Sequence, residues 1–192
     1  MNERRGATPV LLVGAACLLF GFLMAQFKGS MYNLQDVLGN LSAPWVLLAF
    51  WSSALTARGN SLRGALLGIV FLELAFFGFY LGESLAFHMG IVPALRDGVI
   101  WSSTALVAGP LFGALGAREG RSNRGRLWFL VLSLFILEPF VTIGYFDLTA
   151  GKANLGPLEL AAYAIEVAVG VLGCVLVARR FRLFKAANSA GA

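Results

Sequence analysis

Three glutamates, Glu73, Glu138 and Glu166, fall in the middle of long apolar runs, and each belongs to a polar set at helical spacing. Glu73 is followed by Tyr80, Glu138 by Thr142 and Tyr145, and Glu166 is preceded by Tyr163 and Glu159. Residues seven apart on a helix return to nearly the same face, so each set predicts a polar stripe on one helix. Carboxyls beside hydroxyls at such depth can ligate a cation, hold and release a proton, or line a water-filled cavity. Within the run FILEPF, residues 135 to 140, Glu138 is followed directly by Pro139. Proline withholds a backbone donor and opens a helix carbonyl, which could add a neutral oxygen ligand. The candidate cavity or ligand-binding residues are therefore Glu73, Tyr80, Glu138, Thr142, Tyr145, Tyr163 and Glu166. The chemistry also has a plainer form, in which protonated glutamates and tyrosines hydrogen-bond between helices and hold them together.

The elements that must position these residues are membrane spans. The chain is 58% hydrophobic and 13% charged, with a mean hydropathy of +0.78, far from the roughly 45–50% apolar, 25% charged composition of soluble domains. Six apolar runs approach the ~20 residues needed to cross a hydrocarbon core about 30 Å thick. They are Thr8–Phe27, Ala43–Ala57, Gly64–Phe87, Gly98–Ala117, Leu127–Phe146 and Leu158–Ala178, the second being the shortest. The expected fold is thus all-α, a single six-span membrane domain over 1–192 with an unstructured tail from 186. In this frame Glu73, Glu138 and Glu166 lie near mid-depth, and Glu83 and Glu159 lie toward the outer interface. Three ionised carboxylates at mid-depth would oppose insertion by about 10 kcal/mol, at roughly 2.5–3.5 kcal/mol each, and no Lys or Arg lies at matching depth to offset them. Hence the central cavity is expected among spans 3, 5 and 6. Gly170 and Gly173 continue the span 6 stripe, and Ala105, Gly109 and Gly113 repeat every four residues in span 4, a spacing that lets helices approach closely.

The basic residues set the orientation. The net charge is +5, but the cations alternate by loop instead of gathering on one face, which argues against nucleic-acid binding. Arg4, Arg5, Arg58, Arg63, the arginines of 118–126 and those of 179–185 with Lys185 occupy one set of connections. Only Lys28, Arg96 and Lys152 occupy the other. Positive loops stay inside, so both termini and the 118–126 loop are expected in the cytoplasm. The N-terminal apolar run is too long for a signal peptide and reads as an uncleaved first span. The 28–42 connection carries Met31, Leu34, Leu38 and Leu41 at helical spacing and is expected to lie in the outer interface; Ser42 and Pro44 then read as a helix entry. Enzyme chemistry lacks its parts: His88 is the only histidine, Cys17 and Cys174 are isolated, and neither a phosphate loop nor a CxxC pair occurs. No catalytic residue, metal site or cofactor is expected.

The stretches APWVLLAF, Ala43 to Phe50, and AGPLFGALGA, Ala108 to Ala117, resemble small multi-span membrane proteins of actinobacteria catalogued only as a domain of unknown function. The resemblance implies a helical bundle in the bacterial cytoplasmic membrane and carries no activity or site. In size and span count the chain is similar to the substrate-binding subunits of energy-coupling-factor vitamin transporters. The expected role is a small permease or solute-binding subunit taking a proton, a cation or a cationic solute. The alternative is a non-transporting assembly partner of a larger membrane complex. Membrane lipids, other membrane subunits or further copies of the chain are the partners expected. Two internal repeats compete, one pairing WSS at 51–53 with WSS at 101–103, the other pairing LELA at 72–75 with LELA at 158–161.

Overall fold

Helix α1 (Arg4–Phe27) opens the chain in the computed structural model, which describes residues 4–27, 41–88, 90–122, 125–150 and 156–190. It is followed by α2 (Ala43–Thr56), α3 (Ser61–Ala86), the short α4 (Ile91–Asp97), α5 (Val99–Ser122), α6 (Arg126–Ala150) and α7 (Pro157–Ala190). Every regular element among the described residues is a helix. Four are long and apolar enough to cross a membrane, over Pro9–Gln26, Ser61–Ala86, Arg126–Gly144 and Leu160–Phe181, and α2 is a shorter apolar helix. The expected interfacial helix at 28–40 lies outside the described residues. Part of the expected tail from 186 falls within α7, which is continuous to Ala190.

Local chemistry explains the breaks. Pro44 sits in the first turn of α2, where its missing N–H is harmless, although Ser42 provides no side-chain cap. Arg58 and Gly59 both have positive φ, 33° and 93°, and stop α2. The Gly59 N–H donates to the Ala117 carbonyl at 2.7 Å, and Asn60 then caps α3 by accepting from the Arg63 N–H at 2.9 Å. The basic stretch 118–126 is not a plain loop: α5 runs through it to Ser122, and Glu119 is 3% exposed. Only Gly125, at φ 68°, is described between α5 and α6, and a Cβ there would strike the Phe181 ring.

The chain forms two compact units, Met1–Arg121 and Ser122–Ala192. In the first, α1 and α3 run parallel, with Gly21 against the Ala75 carbonyl and Gly78 against Leu18. Helix α5 crosses α3 antiparallel: Gly109 meets Gly68 and Ile69, and Gly113 meets Gly64 and Gly68, backbone against backbone. Gly116 and Gly120 of α5 press on Phe50 and Ala54 of α2. The Ala105, Gly109, Gly113 face expected from spacing is thus a packing seam, answered by Gly64 and Gly68. Where lipid supplies no hydrophobic drive between helices, such close approach gains dispersion contacts. Side-chain bonds add to it, including Ser53 Oγ donating to the Gly64 carbonyl at 3.2 Å between α2 and α3. In the second unit α6 and α7 pair antiparallel, with Gly170 against Leu132, Phe135 and Ile136, and Gly173 against Leu132.

The outward faces are apolar. Leu11, Leu62, Val107, Phe140 and Leu172 are 58–73% exposed on five different helices. Soluble monomers rarely leave that much aliphatic and aromatic surface in water, so these faces mark contact with lipid.

Candidate functional site: a buried carboxyl pair and an aromatic cavity

The antiparallel pairing of α6 and α7 decides where the glutamates go. Gly170 touches Leu132, Phe135 and Ile136, so the α7 residue one turn earlier faces the α6 turn one step later. That places Glu166 against Glu138, and the two carboxyls interact. Glu166 is 2% exposed, and both of its oxygens are buried without completing a hydrogen bond to any described group. Glu138 is half-buried. A buried polar atom left unsatisfied costs about 1–3 kcal/mol, more when charged, so the arrangement calls for a proton or a ligand.

Helix α6 contains Pro139, which is buried and has no N–H to give the Phe135 carbonyl. Phe135, Glu138 and Thr142 are spaced as one helical stripe, and Phe135 packs on Gly170 of α7. Tyr163 and Thr142 are half-buried, one turn from Glu166 and Glu138 respectively. The side chains of Tyr145 and Glu159 lie outside those described. The second unit therefore gathers two carboxyls, a nearby hydroxyl on each helix and one carbonyl deprived of its helix donor. This set suits a proton shared between carboxyls or a cation with oxygen ligands.

The other two expected residues belong to the first unit. Glu73 is half-buried on α3, whereas Tyr80 is 5% exposed and lines a cavity of about 230 Å³. Its walls come from the start of α2 (Ser42, Trp45), the middle and C-terminal part of α3 (Leu72, Phe76, Phe79, Tyr80) and the first turns of α5 (Trp101, Thr104). Sequence reasoning missed this cavity. Its only early signal was the spacing of Leu72, Phe76, Phe79 and Tyr80 on one helical face, which is also the spacing of ordinary core. The buried Glu119 was missed too, because a carboxylate among arginines reads as surface. Among the described residues no group of three or more His, Cys, Asp or Glu could hold a metal ion.

No curated protein and no solved structure matches the chain. A family profile does, over residues 1–191. The paired carboxyls and the aromatic cavity are thus features of a membrane-like helical protein that belongs to the family of unknown function DUF6518.

Proposed function

We propose that the chain is a small permease or membrane solute-binding subunit in which Glu138 and Glu166 form a proton- or cation-exchange site. The observation that carries this reading is Glu166, almost fully buried beside the Glu138 carboxyl, with no other described group in hydrogen-bond reach of its oxygens. Intramembrane carboxyls that face one another are the usual carriers of protons and cations through a bundle. With no cation present, one proton is held between the two carboxyls; when a cation binds, the proton leaves and the Phe135 carbonyl adds a ligand. The fold behind this proposal has six spans, with α2 and α5 joining the four long apolar helices. Support for including α5 comes from its 24 residues and its exposed Val99, Leu106, Val107 and Leu111.

Thermal melts of the purified full chain, across pH and with added Na⁺, K⁺ or ammonium, test the exchange. A cation that binds should raise the melting temperature, and more so at higher pH, because proton and cation compete for the same oxygens. Glu166→Gln and Glu138→Gln should each abolish the cation-dependent shift while the protein still melts cooperatively. A wild-type protein indifferent to both pH and cation would overturn the exchange reading and leave the non-transporting assembly partner as the better account.

A further inference from the structure

The cavity of the first unit is walled by aromatic rings from three helices. Trp45 comes from the first turn of α2, Phe76, Phe79 and Tyr80 from successive turns of α3, and Trp101 from the first turn of α5. Trp45 is held on several sides. Its ring centroid lies 4.9 Å from that of Phe76, 5.8 Å from Phe79 in an edge contact, and 5.4 Å from Phe20 of α1 in another. Tyr80 is fixed by an edge contact with Phe79 at 5.4 Å and by Gly98, whose missing side chain makes room for the Tyr80 ring. Rings locked in this way cannot fall into the space they enclose, so the cavity exists before any ligand arrives. From Leu72 to Tyr80 it follows α3 for about 12 Å, at 1.5 Å per residue.

Charge decides what such a cavity accepts. Among the described residues no Lys, Arg or His lines it. The Gly59 to Ala117 bond brings the α2–α3 turn to the last turns of α5, so Arg58, Arg63, Arg118 and Arg121 sit at the opposite end of this unit. Arg96 is exposed on α4 and is not part of the wall. An anion would look to the start of α2 for donors. There Pro44 has no N–H, and Trp45 and Val46 return theirs to the Ser42 carbonyl at 3.1 and 3.2 Å. Glu73 and Glu83 share a helical stripe with Phe76 and Tyr80, but neither is part of the wall. An aromatic wall with no basic side chain favours a positively charged, weakly hydrated guest, because ring faces attract cations. The volume of about 230 Å³ lies just below the ~300–1,000 Å³ of drug-sized sites. It suits a compact guest, smaller than a vitamin.

We infer that this cavity is a binding site for a small organic ammonium group, quaternary or tertiary, held against Trp45, Phe76, Tyr80 and Trp101, with Thr104 placed to meet a hydroxyl on the guest. Thr104 already donates its hydroxyl proton to the Trp101 carbonyl at 2.7 Å, which leaves its oxygen to accept. The site is independent of the carboxyl pair, since none of its walls comes from the second unit. An ammonium group has two sources in a membrane, a free solute such as choline or the headgroup of phosphatidylcholine, and the rings recognise what they share.

The test uses the full chain in nanodiscs of phosphatidylglycerol, titrated by calorimetry and tryptophan fluorescence with choline, tetramethylammonium and 3,3-dimethyl-1-butanol. The last is choline with carbon in place of nitrogen. Both ammonium ions should bind saturably, and the neutral isostere about tenfold more weakly or not at all. Trp101 is 49% exposed at the rim, so Trp101→Leu should keep the melting temperature while lowering ammonium affinity about tenfold. Adding phosphatidylcholine to the discs assigns the source: competition points to the lipid headgroup, and unchanged affinity points to the free solute. Equal binding of choline and its isostere would overturn the inference by reducing the site to an apolar pocket. Absence of saturable binding, or full affinity in Trp101→Leu, would overturn it as well.

Discussion

At the residue scale the informative position is Glu166, because its burial beside Glu138 decides what replacing it does to stability. A glutamate that hydrogen-bonds between helices would be missed by the fold when replaced with an apolar residue. Here both oxygens are buried and, apart from the proton shared with Glu138, neither meets a hydrogen-bond partner among the described residues, so desolvating the carboxyl costs free energy in the resting fold. Glu166→Met, of similar length, should therefore leave stability unchanged or raise it by about 1–3 kcal/mol. Denaturant unfolding in mixed micelles would measure this, and a loss greater than about 1 kcal/mol would mean that Glu166 has a structural bond after all. If stability instead holds or rises, Glu166 is kept at a cost to stability, which is the usual mark of a group retained for what it binds. Both glutamates were visible in the sequence, because charge at mid-span is conspicuous. Their pairing was not, because it depends on the register of α6 against α7, which Gly170 and Leu132 fix. Cys17 went the way its type implied: it is 0% exposed and packs with Phe71 and Ala75 of α3.

Among elements, the α3–α5 crossing is a close backbone-to-backbone seam of the first unit. Gly64 and Gly68 face Gly109 and Gly113 with carbonyls so close that a Cβ at any of the four overlaps backbone of the other helix. Backbone cannot swing aside as a side-chain tip can, so Gly68→Val should destabilise by about 1–3 kcal/mol or prevent folding. Gly144 of α6 has nothing within 4 Å of an added Cβ. Gly144→Ala should then be neutral or stabilising by up to about 1 kcal/mol, since alanine is the better helix former. Paired melts of the two variants would check both signs, and equal effects would mean that the seam is not tight. The glycine seam, the four long apolar helices, α5 and the shorter α2 were legible, because four-residue small-residue spacing and apolar runs have few other uses. What escaped was set by tertiary contact. Helix α4 is seven residues with a proline inside, too short for periodicity to register. The end of α5 reads as a charged loop until the α2–α3 turn docks on it through Gly59 and Ala117. The aromatic cavity uses rings that core packing would use equally well, so spacing alone could not separate a wall from a filling. The two WSS triplets also part ways: Ser52 and Ser53 are fully buried, whereas Ser102 is half-buried and Ser103 exposed.

For the whole molecule the question is which ends face the cytoplasm. Within the first unit α1 runs parallel to α3, and α2 and α5 run against it, so the beginnings of α1 and α3 and the ends of α2 and α5 share one end. Arg58, Arg63, Arg118 and Arg121 all belong to that end, and the aromatic cavity lies toward the other. Within the second unit Gly125 meets Phe181, which brings Arg126 level with Arg179 and Arg180 at one end of the α6–α7 pair. Each unit therefore has one basic end, and Ser122 lies where the chain passes from one to the other. Basic ends are retained in the cytoplasm because arginine is costly to carry through the bilayer core. On this argument a cysteine introduced at Ser122 should be shielded from a membrane-impermeant maleimide in right-side-out vesicles and labelled once the membrane is opened. A cysteine at Gly90, exposed at the far end of the first unit, should be labelled in the intact vesicles. Cys17 and Cys174 would first be replaced with alanine so that only the new thiols report. Labelling at position 122 in intact vesicles, or protection at position 90, would invert the topology and move the mouth of the aromatic cavity to the cytoplasmic side, where it would meet a different pool of ammonium compounds.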